Sequence, residues 1–91
     1  MTEYIITCTN WQYNVRNPTY SFDTLKDALK NAVGKSSMYK GIEISVPVSP
    51  YKWKRIGTVY AIRTGIETPN RYIYITDKGI RELTKSGNYR K

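Results

Sequence analysis

Aromatic and basic side chains alternate along one short stretch of this chain, which reads Tyr51, Lys52, Trp53, Lys54 and Arg55. Lysine and arginine neutralise phosphates, and each such contact steepens the salt dependence of nucleic-acid binding. An exposed aromatic ring can stack on an unpaired base, which stabilises the complex by roughly 1–3 kcal/mol per base. The residue types and their spacing therefore predict a surface that holds a nucleic acid.

Further cations and tyrosines lie on segments that we expect to become neighbouring strands. The predicted binding surface, for nucleic acid or for another partner, consists of Lys40, Tyr51, Lys52, Trp53, Lys54, Arg55, Arg63, Arg71, Tyr72 and Tyr74. Tyrosine and lysine also suit the wet face of an ordinary antiparallel sheet. A bulge at Gly57 would reverse the face that Trp53 occupies, so periodicity leaves this residue open between core and stacking positions.

The charge of the chain points to a polyanionic partner. The 91 residues hold 15 Lys and Arg against 7 Asp and Glu, a net charge of +8. A small domain this basic suits nucleic acid, an anionic membrane or an acidic protein. Residues 1–38 hold four basic and three acidic side chains, residues 39–66 five and one, and residues 67–91 six and three. The sequence therefore predicts that the positive field belongs to the second half of the chain.

Several kinds of catalytic chemistry lack their usual residues. Histidine is absent and Cys8 is the single cysteine, which removes the commonest general base and the usual zinc ligands. The stretch VGKSS, residues 33–37, has Leu29 where a phosphate-binding loop needs its first glycine. We therefore predict no enzyme activity, no metal site and no cofactor. Cys8 lies in an apolar stretch, which predicts a buried, unreactive thiol.

Alternating apolar residues predict most of the chain to be strand. The patterns cover residues 3–9, 11–15, 39–48, 53–64 and 71–76, and the last three form an antiparallel meander because their connections are short. In residues 11–15 the alternation puts Trp11, Tyr13 and Val15 on one face of a strand. This strand is either a hairpin partner of the first or its bent continuation.

Two segments have helical patterns. An apolar stripe that runs from Phe22 through Leu25 and Leu29 to Val33 predicts a helix, with Ser21 as its cap and the following Gly34 as its stop. A shorter helix is predicted over residues 78–85.

These elements predict an α+β fold. We expect a small two-layer domain, an antiparallel sheet of four to five strands packed against one long helix, in the order β-β-α-β-β-β-α. The whole chain, residues 1–91, is predicted to be one domain, with residues 86–91 as a frayed basic tail.

The stretch RYIYITDKGIRELTK, residues 71–85, resembles the end of winged-helix regulators, in which a wing strand runs into a Thr-x-x-Gly turn and a closing helix. The resemblance implies a strand-to-helix turn from Thr76 to Gly79. It does not extend to the recognition helix of that family, because the corresponding part of this chain is predicted to be strand.

Together these features favour a small, basic, non-enzymatic protein that binds DNA or RNA through its phosphates. The alternative is an inhibitor or adaptor of the kind that phages and mobile elements encode, which would bind a host protein such as a nuclease or polymerase. No signal peptide and no membrane span are apparent, so we expect a cytoplasmic protein, in the host cytoplasm if it is viral. An exposed strand at the edge of the meander makes a homodimer compatible with the sequence.

Overall fold

The computed structural model describes residues 3–63 and 71–90, which form a six-stranded sheet and one helix. The strands and the helix are β1 (Tyr4–Thr9), β2 (Thr19–Phe22), α1 (Leu25–Lys35), β3 (Gly41–Ser49), β4 (Lys52–Ile62), β5 (Arg71–Thr76) and β6 (Gly79–Leu83). The strand order across the sheet is β2-β1-β3-β4-β5-β6, and each neighbouring pair is antiparallel. The predicted meander of the segments that became β3, β4 and β5 is thus confirmed.

The predicted architecture of four to five strands packed against one long helix is wrong. The described part of the chain is mostly sheet, with 52% of its residues in strands and 14% in helix. The helix is short because it begins at Leu25, where the Thr24 hydroxyl accepts a hydrogen bond from the Asp27 N–H at 3.1 Å. Ser21, the predicted cap, lies instead in β2, where it pairs with Ile5 of β1. The apolar stripe also led to the prediction that Phe22 belongs to the helix, whereas this residue is the last of β2.

The predicted second helix over residues 78–85 is also wrong, and β6 takes its place. Gly79 has a φ of +131°, a value that side-chain-bearing residues rarely adopt, so the chain can reverse tightly after β5. The Thr76 hydroxyl accepts a hydrogen bond from the Lys78 N–H at 3.2 Å and supports the turn. The strand-to-helix turn that the winged-helix resemblance implied is therefore a strand-to-strand hairpin.

The predicted strand over residues 11–15 is a loop, residues 10–18, between β1 and β2. The side chain of Asn10 donates a hydrogen bond to the Arg16 carbonyl at 2.8 Å, and the Asn10 N–H donates to the Asn17 carboxamide oxygen at 3.0 Å. These bonds close the base of the loop. Because Trp11, Tyr13 and Val15 are exposed, their alternation reflects no buried face.

The core lies between α1 and one face of the sheet, which we call the core face; the opposite face is the outer face. The helix contributes Ala28, Leu29, Ala32 and Val33, and the sheet contributes Ile6, Cys8, Ile42, Ile44, Val59, Tyr74 and Leu83. Cys8 is buried as predicted. Burial raises the pKa of its thiol, an effect that the positive charge of Lys35 partly offsets.

A bulge in β4 decides which side chains face the core. Ile44 pairs with Gly57 but Ser45 pairs with Arg55, so Ile56 is an extra residue in the ladder. Gly57 cannot carry a side chain without displacing the ring of Tyr74, which lies directly over it. The bulge that the sequence suggested at Gly57 is therefore present, and its extra residue is the one before the glycine.

Residues 84–90, which include most of the segment predicted to be a frayed tail, turn back towards the helix. Tyr89 forms a β-bridge with Leu83, and the Arg90 N–H donates to the Glu82 carbonyl at 2.9 Å. Gly87 is buried against the backbone of Leu29 and Lys30, and its φ is +83°.

Candidate nucleic-acid interface

The functional side chains predicted from the sequence fall at two opposite ends of the sheet. The hairpin end carries the β3–β4 turn, the β5–β6 turn (residues 77–78), the start of β1 and the start of α1. The loop end carries the loop 10–18, residues 35–40, Arg63, the start of β5 and residues 82–90. Because β4 has 11 residues, its two ends are about 30 Å apart at roughly 3.3 Å per residue. The predicted cations therefore do not form one cluster.

At the hairpin end, residues 46–54 form a two-stranded arm. Within the described part of the chain, β1 pairs with β3 only as far as Ser45, and β5 pairs with β4 only from Thr58 onward. The arm carries the predicted site residues Tyr51, Lys52, Trp53 and Lys54, which are all exposed.

The bulge explains where Trp53 lies. Trp53 pairs with Pro47, which follows the core residue Ile44 by three positions. Because successive side chains of a strand point to opposite faces, Pro47 and Trp53 lie on the outer face. The indole is 52% exposed there. A ladder without the extra Ile56 would have turned Trp53 towards the helix. The question that periodicity left open is answered in favour of an exposed ring.

Two of the predicted stacking groups are part of the core. Tyr74 pairs with Val59 and is 4% exposed, and Tyr72 is half-buried and packs against the same cluster. Burial, followed by the nearby Tyr89 and Tyr4, raises the pKa of the Tyr74 hydroxyl. The Tyr74 ring is therefore closed to a base, and the Tyr72 ring is only partly open to solvent.

Two of the predicted phosphate anchors are engaged in ion pairs. Arg55 donates to Glu43 at 2.8 Å on the outer face, midway along β4. The Nε of Arg71 donates to Glu82 at 2.8 Å, and Arg90 forms a salt bridge with Glu82 at an N–O distance of 3.3 Å. Pairs this exposed are weak, but each carboxylate reduces the charge that its arginine presents to a phosphate.

The two ends differ sharply in net charge. Among the described residues, the hairpin end is neutral, because Lys26, Lys52, Lys54 and Lys78 are balanced by Glu3, Asp23, Asp27 and Asp77. The loop end has a net charge of +6, because seven cations face one acid, Glu82. The seven are Arg16, Lys35, Lys40, Arg63, Arg71, Lys85 and Arg90.

The loop end also presents aromatic rings. Trp11 is 70% exposed and Tyr13 is fully exposed. With Lys40 and other residues of the loop they line a cleft of about 270 Å³. The Lys40 N–H donates to the Thr9 carbonyl at 2.8 Å, which fixes this lysine beside the base of the loop.

Sequence reasoning missed most of the loop end. It included Lys40, Arg63 and Arg71 but not Arg16 or Trp11, because their segment had the pattern of a half-buried strand. The turn-forming residues Asn10, Asn17 and Pro18, which bracket the segment, were the available signal for a loop.

Among the described residues, neither a cluster of metal ligands nor a membrane-spanning helix is found. Residues 3–63 and 71–90 contain no group of three or more His, Cys, Asp or Glu side chains that could hold a metal ion. In the same residues, no helix has both the length and the apolar character that crossing a membrane requires.

Comparison with known protein families, with curated proteins and with solved structures finds no match to this chain.

Proposed function

We propose that the protein binds nucleic acid through the loop end of its sheet. The observation that carries this proposal is the net charge of +6 among the described residues of that end, set against zero among those of the hairpin end. The proposed phosphate anchors are Lys40 and Arg63, which belong to the surface predicted from the sequence, and Arg16, which does not. All three are exposed, and none makes an ion pair within the described residues.

The dimensions of the loop end suit a polyanion. Six strands with five steps of about 4.8 Å make this edge about 24 Å wide. Duplex DNA carries one negative charge per about 1.7 Å of its axis, and single strands are also densely charged. An edge of this width therefore meets several phosphates at once, and the cations lie on or beside strands from one side of the sheet to the other.

The test compares two triple variants that remove the same charge. R16A/K40A/R63A changes the loop end, and K26A/K52A/K54A changes exposed lysines of the hairpin end. Binding of labelled DNA and RNA is titrated by fluorescence anisotropy between about 50 and 200 mM salt. We expect the loop-end variant to reduce the slope of log K against log[salt] by about 2–3, since each lost phosphate contact lowers it by roughly 0.7–0.9. The hairpin-end variant should leave the slope unchanged.

Equal losses in the two variants would contradict the loop end as the binding surface. If the wild-type protein binds no DNA or RNA at 50 mM salt, nucleic-acid binding itself is refuted.

The proposal is binding without catalysis, in the cytoplasm. The proposed lack of catalysis rests on the absence of histidine from the sequence, which removes the commonest general base. Incubation of end-labelled DNA and RNA with the protein and Mg²⁺ should leave both intact. Fractionation of the native cell should place the protein in the cytoplasmic fraction.

A second candidate function is capture of a host protein through the arm, residues 46–54. The observation that favours it is the pair of exposed rings, Tyr51 at 98% and Trp53 at 52%, on a ribbon whose outer edges are not paired by β1 or β5. Exposed aromatic residues often dominate protein interfaces, and a ribbon edge can accept another strand. A pull-down from nuclease-treated lysate should then lose its stoichiometric band with Y51A/W53A and keep it with K26A/K52A/K54A.

A further inference from the structure

The loop 10–18 presents aromatic rings that do not stabilise the fold. Trp11, Tyr13 and Val15 are 70%, 102% and 46% exposed. The core cluster and the side chains packed against it include none of the three. Yet the base of the loop is closed by hydrogen bonds from Asn10 to Arg16 and Asn17. Large rings held out into water by a closed loop are expected where they contact a ligand.

The cleft beside these rings limits the size of that ligand. It measures about 270 Å³, which is below the range of roughly 300–1,000 Å³ typical of pockets for drug-sized molecules. The residues that line it include Trp11, Gln12, Tyr13 and Lys40, whose side chains carry two aromatic rings, an amide and an ammonium group. A flat, polar-edged group attached to an anion fits this combination.

The charge around the cleft selects among ligands of that description. The loop end has seven cations against one acid among the described residues, so a polyanion is attracted there and a neutral or basic peptide is not. Within a nucleic acid, only an unpaired base exposes the ring face that stacking requires, because the bases of a duplex are stacked on one another.

We infer that the cleft between Trp11, Tyr13 and Lys40 binds one unpaired nucleobase, so that the protein prefers single-stranded nucleic acid to duplex. This inference rests on the proposed function. The base stacks on an aromatic ring of the loop, Lys40 contacts the adjoining phosphate, and Arg16 and Arg63 contact the backbone on either side.

The experiment uses Trp11 as its own reporter. The chain has two tryptophans, so Trp53→Phe leaves fluorescence from Trp11 alone. This variant is titrated with a single-stranded oligothymidylate, with an abasic strand of the same length, and with a duplex. We expect quenching and tight binding with the oligothymidylate, and weaker binding with little quenching for the other two.

Substitution of the loop should reproduce the loss. Trp11→Ala should weaken binding of the oligothymidylate by about 5- to 150-fold, the range that corresponds to loss of one base–aromatic stack. It should leave binding of the abasic strand and the salt slope unchanged. Trp53→Ala is the matched control, because it removes the other exposed indole, and it should have no effect. Thermal unfolding of both variants should match the wild type, since neither indole belongs to the core cluster.

The outcomes separate this inference from the proposal on which it rests. If Trp11→Ala has no effect or the abasic strand binds equally well, while R16A/K40A/R63A still weakens binding, the base site is refuted and nucleic-acid binding stands. If neither single strands nor duplexes bind at 50 mM salt, both are refuted. Tighter binding of duplex than of single strand would also overturn the inference.

Discussion

The hairpin end and the loop end expose similar aromatic side chains, but the two ends differ in net charge. Each end exposes one tryptophan and at least one tyrosine, Trp53 with Tyr51 and Trp11 with Tyr13. The first pair lies at an end whose charges cancel, and the second at an end with a net charge of +6 among the described residues. Basic residues that are close together in the sequence therefore do not mark the more positive end of the folded protein.

The difference arises from how antiparallel strands connect. The segments after β1, α1 and β6 all lie at the loop end, so cations that are far apart in sequence accumulate there. Lys52 and Lys54 are close in sequence, but the hairpin end also receives the start of β1, the start of α1 and the β5–β6 turn. These bring Glu3, Asp23, Asp27 and Asp77 to the same end.

The largest expected effect comes from exchanging the charges of the two ends. R16E/K40E/R63E changes the net charge of the described residues at the loop end from +6 to zero, which equals that of the hairpin end. We expect binding of single-stranded oligonucleotides at 0.15 M salt to weaken roughly 100-fold or more, because about three phosphate contacts are lost and replaced by repulsion. Fluorescence anisotropy measures the affinity.

The reciprocal variant tests whether charge alone is sufficient. E3K/D23K/D77K raises the hairpin end from zero to +6. All three positions are exposed, so the fold should survive. A second, weaker binding event should then appear, with one more oligonucleotide bound per protein at low salt. A hairpin end that remains inactive at +6 would show that the loop 10–18 supplies something that charge does not.

The next effect in size is on the free energy of unfolding, through the core that lies between the two ends. Gly57→Ala adds a methyl group where the Tyr74 ring lies, and we expect it to lower the free energy of unfolding by about 1–3 kcal/mol through overpacking. Its control is Gly34→Ala, at a helical position whose added methyl group meets no atom within 4 Å. That change should stabilise the protein by roughly 0.5–1 kcal/mol. Urea denaturation measures both.

Neither glycine variant should change the affinity for nucleic acid under conditions in which the protein stays folded. A large loss of affinity with Gly57→Ala would mean that the loop end depends on the packing of the core.

The predictable part of the fold is the part in which a pattern has one physical cause. Ile42 and Ile44 are alternate residues because both face the core, and the meander follows from short connections. The helix stripe was ambiguous at its start, where Phe22 packs against the core from a strand and not from a helix. Leu83 and Ile80 fit a helical spacing, yet Leu83 is buried and Ile80 is 64% exposed, because the turn at Gly79 permits a hairpin.

The site was harder to predict than the fold because it depends on registers and connections. Whether Trp53 is exposed depends on one extra residue in a ladder, and no propensity scale specifies that. Tyr74 looked like a stacking group because strand tyrosines alternate with isoleucines in β5, and only its pairing with Val59 shows which set faces the core. Arg16 and Arg90 are 74 positions apart in sequence, and their common location follows from topology alone.

The smallest expected effect comes from the one described acid of the loop end. Glu82→Gln removes the partner of Arg71 and Arg90 and raises that end to +7. We expect the affinity for single strands to rise by about 2- to 5-fold and the salt slope to steepen by up to roughly 0.9, since one more arginine becomes available to a phosphate. Because the pairs are exposed, the free energy of unfolding should change by less than about 1 kcal/mol.

Glu43→Gln is the matched control, because it releases Arg55 midway along β4 and changes the net charge equally. Should Glu43→Gln raise the affinity as much as Glu82→Gln, total charge and not its location would govern binding, and the distinction between the two ends would fail.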